Sequence, residues 1–159
     1  MARRLHPVEL DFVDSAPLRL VFTADVGAAP ATVYRALAED VEGWPSWFTA
    51  VTAARPTAGG AGREVRLVGG TRFQETIMAA EPGARYAYRV DETNAPGVRA
   101  LLEDWRLTPA GAGCRVRWTM AADGAAPFRF GLRLGRAAVG RSFRDAVRKL
   151  DLRLASAPA

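Results

Sequence analysis

A chain of 159 residues is long enough to bury a substantial core within one domain. With 49% apolar and 25% charged residues it has the balance of a globular protein, which excludes a disordered chain, and no run reaches the roughly eighteen apolar residues of a membrane-spanning helix. The formal charge of +5 rests almost wholly on arginine, Lys149 being the single lysine; this bears on association with anions rather than on fold, and nucleic-acid binding is not expected from it.

Residues 1–17 have no clear period, and Pro7 and Pro17 interrupt them, so they read as a loose N-terminal leader. The basic pair Arg3–Arg4 has no apolar stretch behind it, so a secretory signal is not expected and a cytoplasmic location is. From Leu18 alternation begins: Leu18, Leu20, Phe22, Ala24 and Val26 share one face, as a half-buried strand requires. Gly27 ends that strand. Pro30 suits the first turn of a helix, where its missing N–H costs nothing, and Val33, Leu37 and Val41 follow at helical spacing. Pro45 opens a second short helical turn around Trp44-Pro45-Ser46-Trp47.

A series of strands comes next. Val51 to Arg55 is the weakest, and Arg63 to Val68 places Val65 and Leu67 on one side. Gly69-Gly70 is a two-residue hairpin signal, after which Thr71 to Ala79 returns with Phe73, Glu75 and Ile77 on one face. Beyond the turn at Glu81-Pro82-Gly83, Ala84 to Asp91 aligns Tyr86, Tyr88 and Val90. Ala100 to Leu107 aligns Leu101, Glu103, Trp105 and Leu107, and Cys114 to Met120 aligns Val116, Trp118 and Met120. After Pro127 the period changes from two to about 3.6. Leu132, Arg136, Val139, Phe143, Ala146, Val147, Leu150 and Leu154 then form one stripe of a single long helix, with Arg133, Arg141, Arg144 and Arg148 on its outer face. Residues 18–154 therefore read as a single domain and 155–159 as a flexible tail.

This order of elements predicts an α+β domain with its helices on one face of an antiparallel sheet. A strongly twisted sheet of this size curls, and a long helix laid across its concave side need not fill the space beneath. The pattern resembles the helix-grip superfamily of START lipid-transfer domains, plant pollen allergens and polyketide cyclases/dehydrases. The polyketide cyclase/dehydrase-like branch is the nearest. The resemblance is carried by Ala29-Pro30-Ala31-Thr32-Val33-Tyr34, Trp44-Pro45-Ser46-Trp47, Phe73-Gln74-Glu75-Thr76-Ile77, Tyr86-Ala87-Tyr88, Trp105-Arg106-Leu107 and Cys114-Arg115-Val116-Arg117-Trp118, across about residues 18–154. It implies a curved sheet wrapped around the long C-terminal helix, with a deep apolar cavity for a lipid, sterol, hormone or polyketide.

Standard catalytic constellations are missing. His6 is the only histidine and lies in the leader, so a Ser–His–Asp or Cys–His arrangement has little support. Cys114 is alone, which excludes a disulfide framework, and it reads as a small buried hydrophobe. Gly59-Gly60-Ala61-Gly62 lacks the spacing and the following helix of a phosphate cradle. No cluster of metal-ligating types stands out, and no cofactor is expected.

Two carboxylates sit on otherwise apolar faces. Glu75 lies between Phe73 and Ile77, and Glu103 between Leu101 and Trp105. Burial is costly for such groups unless they are paired, and it raises their pKa. Arg136, on the inner stripe of the long helix, is the expected countercharge. Tyr86 and Tyr88 are the expected hydroxyl donors, and Phe73, Trp47, Trp105, Trp118, Val139 and Phe143 the expected wall. The first functional reading is a binder of an apolar small molecule. The second is a cyclase, aromatase or dehydratase on a polyketide-like chain, with Glu75 or Glu103 moving a proton. A third is an interaction protein using the outer arginines of the last helix, a face diluted by Asp145 and Asp151. Monomer and homodimer both remain open.

Overall fold

The alternating segments resolve, in a computed structural model that describes residues 1–157, into a single antiparallel sheet. Its strands are β1 (Arg3–Arg4), β2 (Leu18–Val26), β3 (Val51–Thr57), β4 (Gly62–Leu67), β5 (Arg72–Glu81), β6 (Arg85–Thr93), β7 (Val98–Ala110) and β8 (Gly113–Gly124). The helices are α1 (Phe12–Ser15), α2 (Pro30–Tyr34), α3 (Ala126–Leu134) and α4 (Arg136–Ser156). The sheet order is β2-β8-β7-β6-β5-β4-β3. Strands β3 to β8 thus form a meander, and β2 returns to pair with β8 in the register Leu20↔Met120, Phe22↔Trp118 and Ala24↔Val116. The curved sheet carries the C-terminal helices against it, an α+β helix-grip architecture.

The Gly69-Gly70 pair takes a φ of +89° at both residues, which permits the tight connection between β4 and β5. Gly113 answers to space instead. A Cβ there would lie 2.0 Å from the carbonyl oxygen of Val26, so the close approach of β2 and β8 depends on its missing side chain.

The first helical region differs from a regular helix. Pro30 opens α2, but the chain then passes through a π-helical turn over residues 35–39 and a 3₁₀ turn over 41–46. Pro45 lies inside that second turn rather than opening it. The apolar spacing nevertheless does its work, since Val33 and Leu37 are fully buried. The indole of Trp44 donates a 2.9 Å hydrogen bond to the Leu37 carbonyl, tying the two turns together.

Three expectations are corrected. Residues 1–17 are not a loose leader. Arg3 and Arg4 pair with Thr93 and Glu92, the Leu5 amide donates to the Asp91 carbonyl at 2.8 Å, and the His6 amide donates to the Arg99 carbonyl at 2.8 Å. The leader therefore fills the gap where β6 and β7 splay apart, and it buries Leu5 beside Val90, Val98 and Leu101, and Val13 as well. The long C-terminal helix is also two helices, with Gly135 (ψ 0°) between α3 and α4. Arg136 is the first residue of α4, at the end of the stripe that Val139 and Phe143 continue, and it is exposed there. Helix α4 reaches Ser156, so the expected tail does not begin at residue 155; residues 158–159 lie outside the described ones.

The main core lies between the sheet and α4. Phe143, Ala146, Val147 and Leu150 are buried there, with the Phe143 ring 5.7 Å from Trp118 and 6.0 Å from Trp105.

Candidate functional site

The strands near the middle of the sheet do not fill all the space under the helices. A cavity of about 300 Å³ remains, floored by the concave face of β4 to β8 and roofed by α3, α4 and the Trp44–Phe48 turn. Its wall is overwhelmingly apolar. Val65, Leu67, Leu101 and Met120 line it from the strands, Phe128 and Leu132 from α3, and Val139 from α4. A larger hollow of about 470 Å³, beside Arg66 and the Gly69-Gly70 turn, is an open dent in the surface rather than an enclosed space.

Polar side chains enter the cavity as one connected patch. Register sets it up: Arg63 on β4 stands opposite Glu75 on β5, and Tyr88 on β6 opposite Glu103 on β7. Bulges between β5 and β6 do not turn Glu75 outward; it is 5% exposed. Arg63 Nε donates to a Glu75 carboxylate oxygen in a fully buried ion pair. The guanidinium also lies over aromatic faces, 3.9 Å from the ring centre of Tyr88 and 4.3 Å from that of Trp44. Cation–π attraction thus supplements the ion pair where water cannot. Trp105 Nε1 donates to the Tyr88 hydroxyl at 3.1 Å, and Glu103 stands beside Tyr88 across the β6–β7 pairing.

Burial and charge set the protonation of this patch. Desolvation pushes the Glu103 carboxyl up from 4.5 to about 7 and the charge of Glu75 adds to the rise, while Tyr88 and Arg63 oppose it. Burial likewise raises Glu75, against the pull of Arg63. The Tyr88 hydroxyl is pushed far above its ordinary range by burial and by Glu103, so it acts as a donor. An arginine does not give up its proton in a protein, so one guanidinium faces two carboxyls whose protonated forms burial favours. Such a group can hold a ligand oxygen or exchange a proton with it.

Of the residues expected from the sequence, Phe73, Glu75, Tyr88, Glu103, Trp118 and Val139 line the cavity. Tyr86, Trp47, Trp105 and Phe143 are buried in the core that supports it. Arg136 is exposed at the start of α4, its guanidinium 5.4 Å from the ring centre of Phe22, and it does not reach the carboxylates. Arg63 stands in that place. Its signal was present in the sequence, because Arg63 shares parity with Val65 and Leu67 on one strand face. Trp44 and Phe48 also line the cavity, from a turn whose irregular backbone gives no period to read. On the outer face of α4, Arg148 is paired with Asp145, as is Lys149. Among the described residues no group of three or more His, Cys, Asp or Glu side chains could hold a metal ion, and no helix is long and apolar enough to cross a membrane.

The family described as polyketide cyclase/dehydrase and lipid transport has a model that matches residues 17–155. The chain belongs to this family. Uncharacterized proteins of Mycobacterium tuberculosis and Mycobacterium bovis are 33% identical to it over 165 residues, covering 96% of this chain and 98% of theirs. Among solved structures, a START superfamily protein of Mycobacterium smegmatis superposes with a TM-score of 0.69 at 11% identity, over 86% of this chain and 96% of that one. A protein of Thermus thermophilus gives 0.67 at 22% identity, over 89% and 100%. A protein of the dynemicin biosynthetic locus gives 0.62 at 21% identity, over 87% of this chain and 47% of that one. At these identities the likeness is one of fold.

Proposed function

We propose that this family member binds an apolar small molecule, a lipid or polyketide-like compound, inside the cavity and anchors its oxygen on the Arg63–Glu75–Tyr88–Glu103 patch. The observation that carries the reading is a partly enclosed apolar space with one buried polar patch, the composition of a small-molecule site. The volume of about 300 Å³ suits a modest ligand, equivalent to roughly ten water molecules at about 30 Å³ each. Apolar burial supplies affinity and the patch supplies orientation. Native mass spectrometry of freshly purified protein, followed by solvent extraction, tests this directly. A released apolar compound of defined mass supports it. Failure to bind any apolar probe, with Trp44 and Trp118 fluorescence unchanged throughout, refutes it.

One observation favours a second reading, proton transfer in a cyclase or dehydratase. Glu103 faces the cavity and titrates near 7, where a general acid–base is most effective. In that case Glu103→Gln abolishes turnover while sparing binding. Retained turnover in that variant removes the reading.

A further inference from the structure

Two buried N–H groups in the cavity have nothing to donate to. Arg63 Nη1 and Trp118 Nε1 lack a hydrogen-bond partner among the described residues, and both side chains line the cavity. Arg63 is 1% exposed and Trp118 is 4% exposed. Buried donors are almost always paired, and leaving one unmade is costly. Water is a poor substitute beside Trp118, because its ring is packed by Phe48, Trp105 and Phe143, which offer no second or third polar contact. An acceptor oxygen on a ligand would supply what these donors lack.

Charge decides what kind of acceptor fits. The guanidinium of Arg63 is already balanced by Glu75, and Glu103 joins the same patch through Tyr88. The walls contributed by β8, α3 and α4 add only Trp118, Met120, Phe128, Leu132, Val139 and Ser142, none of them charged. A ligand carboxylate would therefore set a third acidic group against one cation in a dry site, at high cost.

We infer that the buried end of the ligand is an uncharged carbonyl, of the ketone or ester class, which accepts from Arg63 Nη1, that a second acceptor oxygen answers Trp118 Nε1, and that free carboxylates of the same chain length are discriminated against. The inference rests on reading the cavity as a ligand site and adds the chemical class. The titration of Glu103 sharpens it. As pH rises through about 7 the patch gains negative charge, so rejection of an anion grows stronger.

Matched ten-carbon probes test the inference, their length chosen because about ten methylenes fill the cavity if each occupies about the room of one water. Decane, 2-decanone and decanoate are titrated at pH 6 and pH 8 and followed by tryptophan fluorescence and calorimetry. The ketone is expected to bind roughly tenfold tighter than the alkane, and decanoate roughly tenfold or more weaker than the ketone at pH 8. In Arg63→Met/Glu75→Gln, read at pH 6 where Glu103 is mostly protonated, the advantage of the ketone over the alkane disappears. A decanedione series with the second carbonyl moved along the chain should contain one member that gains a further factor, lost in Trp118→Phe. Decanoate binding as tightly as the ketone at pH 8, a ketone no better than decane, or a dione series without a gain overturns the corresponding part. If none of the three simple probes binds, the cavity reading itself has failed.

Discussion

Replacing Glu103 by glutamine should make the protein more stable above neutral pH and change little below pH 5. Glu103 is buried, and its carboxyl titrates at about 7 instead of 4.5. A folded-state pKa above the unfolded value means that the native protein binds more protons between the two values, so stability falls as pH rises through that window. The contribution is fully present below 4.5 and gone above about 7. The gap of about two and a half pH units, at about 1.4 kcal/mol per unit, comes to about 3 kcal/mol. Glutamine keeps an oxygen to accept from Tyr88 and carries no charge at any pH, so it escapes this loss. Urea denaturation of both proteins from pH 4.5 to 8.5 is the assay. Their difference cancels the titration of every group that does not interact with Glu103. The curves should meet near pH 4.5 and separate by about 3 kcal/mol at pH 8.5, or roughly 6–12 °C in Tm for a chain of this size. Parallel curves across the whole range would refute the account of Glu103 as a buried acid that titrates near neutrality.

Arg63→Met leaves Glu75 buried without its partner and should cost about 3–5 kcal/mol, whereas Arg63→Met/Glu75→Gln should recover most of it; equal losses in both variants would show that the pair is not coupled. Leu5→Ala should destabilise by about 2 kcal/mol in urea, because Leu5 is packed against Val90, Val98 and Leu101; no change would mean that the N-terminal segment is not docked. Gly113→Ala forces a methyl against the Val26 carbonyl and should cost about 1–3 kcal/mol through displacement of β2 from β8, read as a fall in Tm. An unchanged Tm would mean that the two strands separate freely there.

The period-two runs made most of the sheet legible. Phe73, Glu75, Tyr88, Glu103 and Trp118 all belong to such runs, and alternation at half-buried strands reports directly which side chains share a face. Arg63 could be read the same way, from its parity with Val65 and Leu67. Arg136 could not be placed correctly, because spacing gives the face of a helix and not how far along it the sheet covers that face: Arg136 keeps its spacing to Val139 and Phe143 but stands exposed at the first residue of α4. The stripe itself survives the break at Gly135, since Leu132 of α3 and Val139 of α4 both line the cavity. The leader escaped for a related reason. Its Leu5 and Val13 are buried by strands distant in the chain, and no local period marks them.

By itself, then, the sequence determined the α+β class, the order of the strands from β2 to β8, and the two acids on apolar faces, since these follow from local spacing and the turn chemistry of glycine and proline. Only the tertiary structure decided which cation meets those acids, which aromatics wall the cavity and which complete the core, and where the N-terminal segment lies. Each of those depends on cross-strand register and on the angle at which helices cross the sheet. Register and angle are set by packing between residues many positions apart, which leaves no trace in the neighbourhood of any one of them.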